Sequence, residues 1–243
     1  MRRFGLIGYP LSHSFSKKYF EEKFLKENIR DCNYQNFELE NLDQLSVLLK
    51  SKTNLKGLNV TIPFKESVLS FLHNKEKVVE ETGACNCIKI NDGILTGYNT
   101  DVTGFRKSIR EKLKPHHKKA LLLGSGGASK AVQYVLKQLG IEFTIVSRRQ
   151  IENGLQYNEV GKKTMNEHDL IINTTPIGMF PHIDDEPPIP YEHLTHKYLL
   201  YDLIYNPKKT KFLQKGEEQG AQILNGYQML VIQAEESWRI WNS

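Results

Sequence analysis

The chain has 243 residues, enough for one large domain or two small ones. Its 39% hydrophobic and 25% charged residues are those of a globular protein. A formal charge of +5, with no basic helical face interleaved with aromatics, argues against a nucleic-acid partner and for small anions, and no apolar run reaches membrane-spanning length. Arg2-Arg3 before Phe4 to Ile7 imitates a signal sequence, but Pro10 cuts the run short and a first strand is the better reading. Cys32, Cys85 and Cys87 form no CxxC pair, so reduced core thiols in a cytoplasmic protein are expected, and no metal site.

In chain order, Arg3 to Gly8 predicts a strand ending in the turn Gly8-Tyr9-Pro10. Ser12, Ser14 and Ser16 follow at alternate positions. One hydroxyl suffices to cap the next helix; three could instead hold a polyhydroxylated or carboxylated ligand. Lys17 to Asn28 predicts a helix whose Tyr19, Phe20 and Phe24 form a core stripe. A strand over Tyr34 to Phe37 and a helix over Leu42 to Lys50 come next. A strand over Leu55 to Ile62 is stopped by Pro63, and a helix opens at Phe64-Lys65-Glu66 and runs to about Leu72. Cys85 to Ile90 and Ile94 to Tyr98 flank the hairpin turn Asn91-Asp92-Gly93. This alternation predicts an α/β domain to residue 101, after which a helix over Val102 to Leu113 crosses into a second domain.

Ala120 to Leu123 reads as a buried parallel strand, followed by Gly124, Ser125, Gly126, Gly127 and Ala128, a helix to Leu139 closed by Gly140, and a second strand over Ile141 to Val146. Glycines between strand and helix let bare backbone N–H groups approach a pyrophosphate, so this unit points to a dinucleotide, against the plainer reading of a tight turn. Ser129 stands at the third fingerprint position and is small enough to keep helix and strand in contact. The second strand ends in Ser147-Arg148-Arg149 and not in the acid that would hold a ribose 2′-hydroxyl. Two guanidiniums suit the 2′-phosphate of NADP, or are simply solvated. Further strands are expected over Glu167 to Asn173, Tyr198 to Leu203 and Gln222 to Leu224, with a proline-rich loop at 181–190 and a helix over Thr210 to Gln219. Asn225-Gly226 turns the chain into a long amphipathic helix, Tyr227 to Trp241.

Lys65 and Asp101 are the ionisable pair best placed for chemistry. Lys65 would stand at the positive end of a helix dipole and Asp101 at the other edge of the same domain, able to hold a hydroxyl and move its proton; a solvated Lys65 is the plain alternative.

Seven motifs occur in one order: Gly8-Tyr-Pro-Leu-Ser-His-Ser-Phe-Ser16, Asn59-Val-Thr-Ile-Pro-Phe-Lys65, Gly83-Ala-Cys-Asn86, Asn99-Thr-Asp101, Gly124-Ser-Gly-Gly-Ala128, Asn173-Thr-Thr-Pro-Ile-Gly-Met179 and Gln233-Ala234. Together, from Arg3 to Trp241, they resemble the shikimate dehydrogenase family. The resemblance implies a two-domain α/β fold: a substrate-binding domain over 1–101 and 226–243, and a Rossmann-type NADP-binding domain over 102–225, with a cleft between them and the C-terminal helix returning to the first. It implies reversible NADPH-dependent reduction of 3-dehydroshikimate to shikimate, in aromatic amino-acid biosynthesis, with a small-molecule substrate as the partner and a homodimer left open. Quinate as a second substrate, use of either cofactor, and a ligand-binding module without turnover are the alternatives.

By the same resemblance, Ser14 and Ser16 hold the substrate carboxylate, and Thr61, Lys65, Asn86, Asp101 and Gln233 surround its ring hydroxyls. Lys65 is the acid/base residue with Asp101 paired to it, and Tyr205 contacts the substrate. Gly124 to Ala128, Ser147, Arg148, Arg149, Thr174, Gly226 and Met229 match cofactor positions. Three residues depart from the family's pattern: Lys17 stands for proline, Ser147 for asparagine and Gln228 for glycine.

Overall fold

The computed structural model describes residues 1–11, 14–52 and 54–243, so Ser12 lies outside the described residues. The chain divides into two compact units, Met1–Thr100 with Ala234–Ser243, and Asp101–Gln233.

In the first unit, strand β1 (Arg2–Gly8) leads to helix α1 (Phe15–Lys26), strand β2 (Cys32–Glu38), helix α2 (Asp43–Ser51) and strand β3 (Leu55–Val60). Strand β4 (Asn74–Lys75), helix α3 (Lys77–Thr82) and strands β5 (Cys87–Asn91) and β6 (Ile94–Tyr98) complete it. The sheet order is β2-β1-β3-β5-β6-β4. β1 runs parallel to β2 and β3, β5 antiparallel to β3 and β6, and β4 parallel to β6. Side-chain alternation along β1 feeds two cores: Ile7 joins Leu45, Leu58, Val68 and Ile88 on one face, and Phe4 and Leu6 join Phe20, Phe24, Tyr34 and Trp241 on the other. The hairpin turn is as expected, with Asp92 and Gly93 both at positive φ, 47° and 82°. Cys32, Cys85 and Cys87 are buried free thiols, and burial pushes Cys32 up to about 11.

The second unit begins in helix α4 (Thr100–Arg110). Its strands are β7 (Lys119–Leu123), β8 (Glu142–Ser147), β9 (Leu155–Gln156), β10 (Leu170–Asn173), β11 (Leu199–Asp202) and β12 (Gln222–Leu224). Its other helices are α5 (Gly127–Gln138), α6 (Lys162–Glu167), α7 (Lys211–Glu218) and the start of α8 (Tyr227–Trp241). Every strand pairing is parallel, in the order β12-β11-β10-β7-β8-β9. Such a sheet is covered on both faces, which is why β7, β10 and β11 are wholly buried apolar runs apart from Lys119, Asn173 and Asp202 at their ends. Helix α4 is fixed on β11 by Phe105, stacked at 5.2 Å on Tyr201, and by a 2.6 Å hydrogen bond between Ser108 and Tyr201 hydroxyls.

Two expectations are corrected here. No α-helix opens at Lys65: residues 62–66 form turns ahead of a short 3-10 segment, Ser67–Phe71, so the argument from a helix dipole loses its helix. Asp101 does not precede its helix but lies in the first turn of α4.

Trp241 closes the aromatic core of the first unit. Its ring stacks on Phe4 at 4.9 Å, its indole N–H donates to the Ile88 carbonyl at 3.0 Å, and a side chain at Gly57 would collide with the indole. Truncating a buried tryptophan costs about 3–5 kcal/mol. Trp241→Ala should therefore lower the unfolding free energy by about that amount in urea denaturation, a large share of the stability of an ordinary domain.

Candidate active site

Strand direction brings the polar segments of the first unit to one edge of its sheet. β1 and β3 are parallel and end together, at Gly8 and Val60. β5 starts at that edge, because Cys87 pairs near Asn59, and β6 ends there, because Tyr98 pairs with Cys87. Four segments therefore meet: 14–16, 61–65, Asn86 and 99–100. Backbone hydrogen bonds seal them, from Tyr9 N to Ile62 O (3.1 Å), Val60 N to Asn86 O (2.8 Å), Cys85 N to Lys65 O (2.8 Å) and Asn86 N to Tyr98 O (3.1 Å).

The side chains at this edge divide into those that hold the fold and those that do not. Asn86 Oδ1 accepts from Thr100 N at 2.6 Å and its amide donates to Thr100 Oγ1 at 3.0 Å, so much of Asn86 is spent on the turn into α4. Asn59 accepts from the Tyr34 hydroxyl at 2.9 Å and donates to Ser237 Oγ at 2.9 Å. Ser16 is buried, with its hydroxyl against the Tyr34 phenol, whose ionisation burial opposes. Ser14 sits at the N-cap of α1 yet does not cap it, and its hydroxyl is buried with no hydrogen-bond partner among the described residues. Left without a ligand, such an atom carries a desolvation cost. Thr61 and Lys65 are half-buried at the same edge.

The second unit offers another edge, where all its strands end. β7 and β10 are neighbours whose outgoing connections lead to opposite halves of the sheet, which makes the crevice beyond them the topological switch point. Gly124 takes φ +106° there, and a Cβ on it would stand 2.7 Å from Thr174 Oγ1. Gly126 is different. It precedes α5 with an ordinary φ of −81°, and a Cβ on it would meet nothing within 4 Å. Neither backbone strain nor packing demands glycine at 126; close approach of a pyrophosphate would. Ser129 replaces the third glycine without loss, fully buried and donating to Gly124 O at 2.8 Å. At the end of β8, Ser147 Oγ accepts from Arg149 N at 3.3 Å, while Arg148 and Arg149 are exposed and pair with no carboxylate among the described residues. These groups fit a dinucleotide with an extra phosphate.

Of the remaining expected positions, Tyr205 is half-buried just after β11. Gly226 has a packing reason of its own: its N–H donates to Ile204 O at 3.0 Å and any side chain there would strike the Leu203 backbone. Met229 is buried with its carbonyl against Gly104, Gln228 is exposed, and Gln233 donates to Leu230 O at 2.9 Å from one turn further on.

Asp202 belongs to no motif singled out from the sequence. It ends β11 fully buried, accepting from Asn173 Nδ2 at 3.1 Å, Ile204 N at 3.0 Å and Thr210 Oγ1 at 2.6 Å. The only trace of it in the sequence is an acid closing an apolar run, Leu199-Leu-Tyr-Asp202.

The strand order and the switch-point glycines define the second unit as a Rossmann-type α/β domain of the dinucleotide-binding class. The family model described as "Shikimate dehydrogenase substrate binding domain" matches residues 6–88. The shikimate dehydrogenase (NADP(+)) of Caldicellulosiruptor bescii is 37% identical, over 99% of this chain and 89% of the relative. That of Methanosphaera stadtmanae is 36% identical, over 98% of this chain and 90% of the relative. The structure of shikimate 5-dehydrogenase from Thermus thermophilus, in complex with NADP(H) and shikimate, superimposes with a TM-score of 0.87 at 28% identity, over 99% of this chain and 93% of that one. The chain belongs to the shikimate dehydrogenase family.

Burial pushes the Asp202 carboxyl up to about 7, with the hydrogen bonds from Thr210, Ile204 and Asn173 acting the other way. The folded state therefore holds this proton more tightly than the unfolded chain, where the carboxyl titrates near 3.9. The stability it contributes is full below about pH 4 and is lost as pH rises to about 7. Asp202→Asn removes the titration. Urea denaturation across that window should show a flatter profile in the variant, the two curves diverging by roughly 4 kcal/mol.

Proposed function

We propose that this protein catalyses the reversible NADP-dependent interconversion of 3-dehydroshikimate and shikimate. The observation that carries this reading is the gathering of Ser14, Ser16, Thr61, Lys65 and Asn86 at one sheet edge, with the Ser14 hydroxyl buried and without a hydrogen-bond partner among the described residues. Two hydroxyls at the start of α1 suit a carboxylate; an amide, a hydroxyl and an ammonium suit ring hydroxyls. The Caldicellulosiruptor and Methanosphaera relatives carry the same activity in their names.

In this reading residues 1–101 with 226–243 form the substrate domain and 102–225 the cofactor domain. NADP, when bound, supplies the acceptor for the hydride leaving the substrate's carbinol carbon, and NADPH the donor in reverse. Gly124 to Ala128 take the pyrophosphate, Ser147, Arg148 and Arg149 the 2′-phosphate, and Thr174, Gly226 and Met229 line the rest. Ser14 and Ser16 bind the carboxylate. Thr61, Asn86, Asp101, Tyr205 and Gln233 orient the ring. Lys65 gives a proton to the carbonyl oxygen as the ketone is reduced and takes it back from the hydroxyl in oxidation, with Asp101 holding the same oxygen. The first test is the appearance of the reduced-nicotinamide absorbance with shikimate and NADP; no turnover with shikimate or quinate and either cofactor would overturn the proposal.

Lys65→Ala should lower turnover by about 10²–10⁴-fold, the range for a lost acid–base group, with a smaller change in the Michaelis constant for shikimate; Asp101→Asn should do less if it orients. Steady-state kinetics with wild-type-like turnover in Lys65→Ala would remove the lysine from the mechanism.

Cofactor choice rests on Arg148 and Arg149. A bidentate guanidinium–phosphate contact contributes roughly 1.5–3 kcal/mol, or about ten- to a hundredfold in affinity. The double alanine variant should raise the Michaelis constant for NADP by that factor and leave NAD nearly unchanged, and the wild-type preference should shrink with added salt. Equal weakening of both cofactors would assign the arginines elsewhere.

A further inference from the structure

Three turns at the carboxyl edge of the second sheet are tied to one buried side chain. Asp202 Oδ1 accepts from Asn173 Nδ2 at 3.1 Å and from Ile204 N at 3.0 Å, and Oδ2 accepts from Thr210 Oγ1 at 2.6 Å. Each donor belongs to a different turn. Asn173 passes the constraint forward: its Oδ1 accepts from Thr175 N at 3.0 Å and Thr175 Oγ1 at 2.7 Å, and Thr175 Oγ1 accepts from Ile177 N at 3.2 Å. This is the turn that meets the glycine loop, since a Cβ on Gly124 would stand 2.7 Å from Thr174 Oγ1 and 2.9 Å from Thr175 Cγ2. Ile204 passes it another way, through its carbonyl to Gly226 N at 3.0 Å, at the threshold of α8. Thr210 caps α7 by accepting from Leu213 N at 3.4 Å.

The strands do not need Asp202 in the same way. β10 and β11 are held by their own parallel ladder from Leu170 and Leu199 to Asn173 and Asp202, and their side chains are buried among apolar neighbours. What the carboxyl adds is the course of the chain beyond the last pair, where three backbone segments would otherwise leave the sheet independently. A ligand lying over that edge feels those turns and not the ladder beneath.

We infer that Asp202 is a positioning residue for the dinucleotide: through Asn173 it holds the Thr174–Thr175 turn against Gly124, and through Ile204 it sets the approach to Gly226. This rests on the assignment of NADP to the second unit made above. It predicts that loss of the side chain weakens NADP and spares shikimate. It also predicts that an amide can replace the acid, because an asparagine oxygen can keep both Oδ1 bonds while its NH₂ donates to the Thr210 hydroxyl.

The test is calorimetric titration of NADP and, separately, of shikimate into wild type, Asp202→Ala, Asp202→Asn and Thr175→Val. Asp202→Ala should raise the dissociation constant for NADP by about tenfold or more, the effect of leaving the Asn173, Ile204 and Thr210 donors without their acceptor, with shikimate within about twofold. Asp202→Asn should recover NADP binding to within about threefold. Thr175→Val, which leaves the buried carboxyl intact, should weaken NADP alone by a few-fold. Wild-type NADP affinity in a folded Asp202→Ala, or equal weakening of both ligands, would overturn the inference. If Asp202→Ala does not fold, unchanged NADP binding in Thr175→Val overturns it. A wild-type protein that binds no NADP would overturn the cofactor assignment itself, and the inference with it.

Discussion

The Leu123 carbonyl oxygen receives two hydrogen bonds from one residue, Thr174 N at 2.9 Å and Thr174 Oγ1 at 2.7 Å. This contact joins the ends of β7 and β10 at the point where the sheet changes winding direction. It brings the Thr174–Thr175 turn so near Gly124 that a Cβ would not fit, and Gly124 in turn adopts φ +106°, which only glycine takes at low cost. From there α5 can start without a side-chain cap, and Ser129 reaches back to Gly124 O and fills the space under the loop. A glycine-rich motif is usually explained by its ligand. Here two of its features, Gly124 and Ser129, are explained by the protein, and Gly126 is left as the position that protein contacts do not account for.

The long elements were legible because each carries its own period or its own punctuation. Helix α8 has the bounds expected from the Asn225-Gly226 turn and the apolar repeat after it, and the Asn91-Asp92-Gly93 hairpin follows from residues that tolerate positive φ. The strands β4 and β9 span two residues each and the helices α3 and α6 six each, too short for any periodicity to register. Position 65 failed for a different reason. Phe64-Lys65-Glu66 has helical composition, but Lys65 O, which a helix would offer to Leu69 N, accepts Cys85 N instead, and Leu69 N turns to Glu66 O, so the turn tightens to a 3-10 segment. Asp202 was hidden because its partners, Asn173 and Thr210, are distant in sequence and become neighbours only through strand pairing.

Charge at the two edges is supplied differently. At the second edge it comes from the exposed guanidiniums of Arg148 and Arg149, which no carboxylate neutralises among the described residues. At the first edge most polar groups are neutral, buried and spent on each other. Asn59, Asn86, Thr100 and Ser237 form one hydrogen-bonded cluster beneath it. That cluster ties residues from β3, the start of β5 and α8 into a single support, so substitution of any member is expected to be felt as lost geometry before lost chemistry.

Mixed strand direction in the first sheet bears on why so many polar residues reach one edge. In a wholly parallel sheet only the trailing ends of strands arrive on the ligand side, one connection per strand. Reversing β5 against β3 and β6 changes this: Asn86 arrives from the beginning of β5, and Asn99 and Thr100 from the end of β6, joined by a two-residue turn at the far side. The fifteen residues from Asn86 to Thr100 thus deliver two polar segments to the same edge, where a parallel crossover with its helix would need about twice as many. The second sheet keeps the parallel plan because its expected ligand is long. A dinucleotide needs successive loops spread along an edge, at β8 for one phosphate, at β7 for the pyrophosphate and at β10 beyond it, and parallel neighbours provide that spacing. The compact ring proposed for the first unit needs the opposite, several short segments converging on one place, and an antiparallel hairpin set into a parallel sheet supplies it.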